Sequence, residues 1–241
     1  MIEEPSSKFS AIRDEPFKAE LIKKLREHLT HERKEIHVSD LLSPLRSYYE
    51  KTQPLPLTED EVGYFTAGRA HHELLQLVFP GQKVEVEDDI EWEGLVGHID
   101  VVGDGEPVEI KTSRSWYITP PDELWEENSS YIRQLSYYCA IKDVQNGKLI
   151  VFLLANRIKR EDGSNCTVPR LTVYSAKFDD LEGVRQEMRN RRDLLLDALK
   201  NKNPALLPPC PEWACKSGEH GCKYQGICIV YKENHQIPGS I

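Results

Sequence analysis

Two acids and a lysine carry the strongest chemical signal in the chain. Asp100 lies within one apolar stretch, 95–102, and Glu109-Ile110-Lys111 closes the next, with Gly103-Asp104-Gly105-Glu106 between them. Asp104-Gly105 suits a two-residue type I′ reversal, in which both central residues take φ > 0. With that pair as the loop, Val102 is expected opposite Pro107, Val101 opposite Val108, and Asp100 opposite Glu109. Directly opposed side chains have Cβ atoms about 4.5–5.5 Å apart. Two carboxylates at that spacing repel unless a cation lies between them. The flanking Ile99, Val101, Val108 and Ile110 describe a buried strand pair rather than a solvent-facing edge, and buried acids need a partner. A period of two puts Lys111 on the face that carries Glu109.

Such a set suits hydrolysis of a phosphodiester. Asp100, Glu109 and the backbone carbonyl of Ile110 would hold Mg²⁺ or Mn²⁺, which lowers the pKa of a bound water and stabilises charge on the phosphate. Lys111 would orient or help deprotonate the attacking water and neutralise the developing oxyanion.

The rest of the chain must position these groups. Charged residues dominate the first 35 positions, with an amphipathic helix expected over about 17–29. Ser39-Asp40 is read as the N-cap of a short helix whose first turn Pro44 restricts. A helix is expected over 58–78, with Thr58 before a Glu-Asp-Glu first turn; Gly68 within it marks a close backbone approach or a break. Alternation then predicts strands at 84–90, 95–102 and 107–111. A helix over 129–142, a central strand over 148–155, a strand over 170–178 and a helix over 181–200 follow. The fold class is therefore mixed α/β, helices packed on one sheet.

Composition sets limits. The chain has 241 residues, with 31 Lys and Arg against 40 Asp and Glu, a net charge of −9. At about 100–200 residues per domain this is one large domain, or one with an appendage. With 39% hydrophobic and 29% charged residues it is a core-forming mixture, neither disordered nor membrane-spanning. The longest apolar run, 149–155, falls far short of the roughly 20 residues that cross a bilayer. The first ten residues lack the pattern of a signal peptide, and a cytoplasmic location is expected. The acidic balance argues against coating nucleic acid by bulk charge.

The motifs resemble those of a known family. Asp100 followed by Glu109-Ile110-Lys111 is similar to the PD-(D/E)XK nuclease motif. Gly68-x-x-x-His72-Glu73-x-Leu75 resembles the histidine motif of RecB-like nucleases, and Gln134-x-x-x-Tyr138 their QxxxY motif. Over about residues 36–230 the chain looks most like the CRISPR-associated RecB-like exonucleases and their stand-alone relatives. The resemblance implies a restriction-endonuclease-like core, a mixed sheet flanked by helices. It implies metal-dependent cleavage of DNA, exonucleolytic on single strands, with endonucleolytic action on branched or duplex DNA, or a non-catalytic DNA-binding subunit, as alternatives. It implies His72 as a further metal ligand, whose imidazole favours Mn²⁺. Gln134 and Tyr138, i and i+4 on one helical face, would assist at the phosphate, the water or Lys111. Arg114 and Arg133 are candidate phosphate contacts, and protein partners in DNA repair or CRISPR-type defence are possible companions.

Cys210, Cys215, Cys222 and Cys228 cluster near the end of the chain, which in a reducing compartment reads as a metal or iron–sulfur site. The pieces Pro211-Glu-Trp213-Ala-Cys215 and Cys222-Lys-Tyr224-x-x-x-Cys228 resemble the C-terminal iron–sulfur part of the family. Relatives often take a first cluster cysteine from near the N-terminus, where this chain has Ser43, so Cys210 is the expected replacement. Four thiolates hold either a 4Fe–4S cluster or Zn²⁺; the spacing favours the cluster, and His220 is an alternative zinc ligand. Cys139 is read as a small buried hydrophobe. The expected division is an N-terminal helical extension (1–35), the nuclease-like core (36–203), and a cysteine-rich segment and tail (204–241).

Overall fold

The computed structural model describes residues 13–30, 34–81, 84–160, 162–211 and 222–228. Helix α1 (Glu15–Leu29) starts at Asp14, whose carboxylate accepts the Phe17 amide at 3.0 Å. None of its residues is buried, and Arg26 ties it to the chain ahead of the next long helix by donating to the Leu57 carbonyl at 2.8 Å. A short strand β1 (Ile36–His37) follows, then a 3₁₀ turn (Val38–Leu42). The expected cap at Ser39-Asp40 is displaced. His37 stands at the N-cap of the turn, and Asp40 reaches back to accept the His37 amide at 2.9 Å. The next helix, α2 (Pro44–Thr52), follows Ser43, which stands at the N-cap position without a capping side-chain hydrogen bond. Proline is best tolerated at the first helical position, where no partner is needed for the N–H it lacks, and that fixes the start of α2 after Asp40.

Helix α3 (Glu59–Leu77) opens with a capping box: Glu61 donates its amide to the Thr58 hydroxyl at 3.2 Å, and Thr58 donates its own to the Glu61 carboxylate at 2.8 Å. The helix runs through Gly68 without a break. Strands β2 (Val84–Trp92), β3 (Leu95–Gly103) and β4 (Glu106–Ser113) form a meander. Short helix α4 (Leu124–Glu127) and helix α5 (Ser129–Lys142) then carry the chain across to β5 (Asn146–Lys159). Strand β6 (Asn165–Lys177) returns, and helix α6 (Leu181–Asn201) is capped by Asp180, which accepts the Gly183 amide at 2.8 Å.

The sheet has six strands in the order β1-β3-β4-β5-β6, with β2 also pairing with β3. Pairs β1/β3 and β4/β5 are parallel and the others antiparallel, so the sheet is mixed, as expected. The parallel β4/β5 pair needs the long crossover that α4 and α5 supply. Strands β5 and β6 run well beyond 148–155 and 170–178. Their outer halves pair as a two-stranded ribbon after an irregularity between Leu153 and Asn156. Hydrophobicity stops at Ala155, so pattern alone could not mark strand there.

Helices cover both faces of the sheet. On one, Leu135 and Cys139 of α5 pack on Leu149, Val151 and Leu153; α5 also meets α6 in a core with Tyr137, Met188 and Leu195. On the other, Leu75 of α3, with Phe79 just beyond it, packs on Val101, Val108, Ile110 and Ile150. Residues 222–228 dock beside α2, where the buried Tyr224 ring stacks on Tyr49 at 6.0 Å. Among the described residues no helix is long and apolar enough to cross a membrane.

The β3/β4 register is the expected one where the strands pair: Val101 with Val108, Val102 with Pro107, Gly103 with Glu106. Asp104 (φ 52°) and Gly105 (φ 86°) form the reversal. A Cβ at Gly105 would meet nothing within 4 Å, so only its left-handed backbone demands glycine. Gly105→Ala should therefore destabilise the protein by about 1 kcal/mol, roughly 2–4 °C in Tm, measurable by thermal and urea unfolding. An unchanged midpoint would contradict this turn.

Candidate active site

The ladder between β3 and β4 stops one pair short of Asp100 and Glu109. Pairing is recorded only for 101–103 with 106–108; beyond Val108, β4 keeps its parallel partner β5 as far as Ser113. On the same edge of β3, β1 pairs only with Leu95 and Val96. Residues 97–100 thus face a fork in the sheet. The expectation that Asp100 directly opposes Glu109 is corrected accordingly. Asp100 instead turns its carboxylate across the fork, and Oδ2 accepts the Ile110 amide at 2.8 Å.

Side chains bond the backbone groups along the fork. Gln76 of α3 donates Nε2 to the Asp100 carbonyl at 2.9 Å, and Tyr138 of α5 donates its hydroxyl to the His98 carbonyl at 2.9 Å. Buried backbone groups must find partners, so parting the strands requires these side chains. That requirement brings two helices from opposite faces of the sheet to one point.

The acids, the lysine and their supports meet there. His72 Nδ1 lies 3.4 Å from Asp100 Oδ1. Lys111 Nζ lies 2.5 Å from Glu109 Oε1 and donates to Gln134 Oε1 at 3.0 Å; Gln134 in turn donates Nε2 to the Tyr138 hydroxyl at 3.2 Å. The neighbouring His71 points elsewhere, its Nδ1 2.6 Å from the Ala67 carbonyl and its ring against Phe152. Arg114 lines the cleft described below, whereas Arg133 is paired with Glu187 at 3.2 Å and is not part of that lining.

Electrostatics single out Glu109. It is 1% exposed, and Oε2 has no hydrogen-bond partner. Burial pushes its pKa up to about 7, against the pull of the Lys111 charge, and the nearby Asp100 adds to the rise. Burial works to lower the pKa of Lys111, but the charges of Glu109 and Asp100 outweigh it and leave the ammonium above its ordinary value. The Lys111 ammonium is thus favoured in its charged form beside the two acids. Of its three N–H donors, Glu109 and Gln134 engage two. Tyr138, buried, has its hydroxyl pKa pushed up by desolvation and remains a proton donor.

An orphaned, buried carboxylate oxygen beside a second carboxylate is what a hard divalent cation would satisfy. In an extended strand, a residue's N–H and C=O leave by the same edge, so the Ile110 carbonyl also faces the fork. Among the described residues no three His, Cys, Asp or Glu side chains are gathered so as to cage a metal alone. Mg²⁺ does not require that, because it keeps several waters and takes one or two carboxylates.

The fork opens into a cleft of about 610 Å³ lined by Asp100, Lys111 and the α3 residues Tyr64, Gly68, His72 and Gln76, together with Tyr131 and Arg114. Tyr64, Gln76 and Tyr131 were not among the residues singled out from sequence. The helical period starting from His72 reaches both Tyr64 and Gln76. Tyr131 stands one turn before Gln134 in α5, with its ring 5.7 Å from Lys111 Nζ. Gly68 places in the middle of the unbroken α3 the residue that costs a helix interior about 1 kcal/mol relative to Ala.

The cysteines are only partly in view. Cys215, Trp213 and His220 lie outside the described residues. Ser43 donates its hydroxyl to Cys210 Sγ at 3.3 Å, Cys228 is buried in the core that includes Leu45 and Tyr49, and Cys210 and Cys222 pack against that core. Cys139 is buried in the α5 core, as expected of a small hydrophobe.

No family model matches the chain, and no curated protein matches it. The fold is shared with a solved structure. The chain is similar to SSO0001, with 24% identity and a TM-score of 0.53 over 89% of this chain and 96% of that one. It also resembles a phage-related exonuclease from Haemophilus somnus 129PT, at 15% identity and a TM-score of 0.47 over 73% of this chain and 98% of that one. An alkaline exonuclease (LHK-Exo) from Laribacter hongkongensis aligns at 12% identity and a TM-score of 0.46, over 76% of this chain and 97% of that one. At 24% identity the likeness to SSO0001 is one of fold.

Proposed function

We propose that the chain is a divalent-metal-dependent DNA nuclease of the RecB-like PD-(D/E)XK type, acting as an exonuclease on single-stranded DNA. The carrying observation is Glu109: a fully buried carboxylate with one oxygen bound to Lys111 and the other unpartnered, in a fork it shares with Asp100. Asp100, Glu109 and the Ile110 carbonyl would hold Mg²⁺ or Mn²⁺, with His72 beside Asp100 as a further ligand. The cation, when bound, supplies the charge that acidifies water and draws electron density from the phosphate. Glu109 Oε1 and Gln134 Oε1 fix Lys111 Nζ so that its third N–H is aimed into the cleft, at the attacking water and the phosphoryl oxygen that gains charge. Tyr138 orients Gln134, and the His98 carbonyl orients Tyr138, so the pair acts on Lys111 by position. Phe65, 46% exposed on the cleft wall, offers an apolar ring to an unpaired base.

The cysteine segment is proposed to hold a 4Fe–4S cluster through Cys210, Cys215, Cys222 and Cys228, with Zn²⁺ as the alternative metal. Support comes from the spacing and from three of these residues lying against the core beside α2. Its role is structural, fastening the end of the chain to the core. Protein purified without air should be brown and contain about four irons per chain; a colourless protein with one zinc assigns the alternative.

Lys111→Ala should lower kcat/KM on DNA with Mn²⁺ by about 10²–10³-fold, and Gln134→Ala by about 10–100-fold. Cleavage by Lys111→Ala at the wild-type rate would remove the assigned chemistry. Linear single strands should be consumed from an end while circular ones persist; cutting of circles would replace the exonuclease by an endonuclease.

The raised pKa of Glu109 also has a sign for stability. Between the ordinary value of 4.5 and about 7, the metal-free folded state holds a proton that the unfolded state has released. Stability from this group is therefore present at low pH and lost as pH rises through about 7. Metal-free protein should melt at progressively lower temperature from about pH 5 to 7.5, relative to Glu109→Gln. Saturating Mn²⁺ should abolish that difference in slope, because ligation takes the ionised carboxylate. Parallel Tm profiles for the two proteins without metal would refute the buried acid.

A further inference from the structure

Tyr64, Gly68, His72 and Gln76 stand four residues apart on α3 and all line the cleft. They form one stripe along the helix, each step about 6 Å. Its lower end is bound to Asp100 through His72 and Gln76. Its upper end is bound to Arg114, whose guanidinium carbon lies 3.8 Å from the centre of the Tyr64 ring. Between them the wall has a gap at Gly68.

Nothing inside the protein explains that glycine. The helix passes through it with ordinary geometry, and a Cβ placed there would meet nothing within 4 Å. Gly63 on the same helix has equally open surroundings but is exposed and does not line the cleft. Glycine weakens a helix, and one of its recognised uses is to let backbone approach a ligand closely. Arg114 adds an independent sign. Among the described residues it has no carboxylate partner, whereas Arg69 on the same cleft is paired with Glu73 at 3.0 Å. A guanidinium stacked on an aromatic ring keeps its N–H edges free for a phosphate fork.

We propose that the Gly68 gap seats the sugar–phosphate unit next to the cleaved bond, with the adjoining phosphate on Arg114, which Tyr64 holds in place. This rests on the nuclease reading and adds to it a position for the strand: it runs up α3 from the fork toward Tyr64. A nucleic acid backbone fits because its phosphates recur; a lone phosphate ester would occupy only the lower end.

The test is binding of fluorescein-labelled dT12 to the full chain in Ca²⁺, read by anisotropy, beside thermal melting and cleavage in Mn²⁺. Gly68→Leu should weaken binding at least tenfold, and Gly68→Ala by less, while neither lowers Tm, since both residues favour helix over glycine. Arg114→Ala should weaken binding about tenfold and make log Kd less steep against log salt by about 0.7, the share of one phosphate contact on a single strand. Binding by both Gly68 variants within twofold of wild type overturns the seat, as does a wild-type protein that does not bind dT12. A wild type that binds dT12 with these effects but cuts no DNA removes the nuclease reading and leaves the seat standing. A wild type that cuts while its Gly68 variants bind and cut unchanged does the reverse.

Discussion

A buried carboxylate beside a half-buried ammonium is the constraint on which this architecture turns. Glu109 is enclosed almost completely, and Lys111 is its only ion-pair partner among the described residues. Removing such a charge from water is expensive unless every oxygen is satisfied. One oxygen is left over. A protein selected for stability alone would fill that site with a hydrophobe, which the neighbouring Ile110 and Leu149 already suit. The retained acid thus marks a place where stability gives way to binding, and strained or unsatisfied groups of this kind collect at functional sites.

The fork in the sheet follows from the same constraint. Had β3 continued to pair with β4, Asp100 would face Glu109 with its backbone satisfied, and no ligand could reach between the strands. Parting them exposes the backbone of residues 98 to 100. The bonds from Gln76 and Tyr138 that repair this come from α3 and α5, on opposite faces of the sheet. The helices that close the hydrogen-bond account of an interrupted ladder are therefore the ones that deliver His72 and Gln134. Structural repair and site assembly are one set of contacts.

This explains what could and could not be read from the residues. The register of the reversal was legible because Asp104-Gly105 admits few turn types and Val101, Val102, Pro107 and Val108 alternate cleanly. The length of α5 and the starts of α3 and α6 were legible from caps and periodicity. The fork was not, because it depends on β5 recruiting β4 from a distance in sequence. Nor was β1, two residues long, or the outer ribbon of β5 and β6, where cross-strand pairing holds polar residues extended without an apolar face. Among the site residues, Gln76 escaped notice because glutamine on a charged helix looks like surface until its carbonyl partner is known. Arg133 looked like a phosphate contact for the opposite reason: its pairing with Glu187 of α6 cannot be seen from either segment alone.

The charge distribution orders events in the cleft. The chain as a whole is acidic, at −9, and the cleft contains Asp100 and Glu73 beside the Arg69 that Glu73 neutralises. Without a divalent cation, its deep end presents the Asp100 carboxylate, and Lys111 is held close by Glu109. On the proposed function, Asp100 and Glu109 would hold a divalent cation with Glu109 ionised, and the two carboxylate charges would then be offset at the fork. In the proposed seat, a strand would be held at both ends of the α3 stripe, at the fork below and by Arg114 above. On the proposed reading the cation would bind before the nucleic acid, because the Asp100 carboxylate that would help hold it disfavours a phosphate until it arrives.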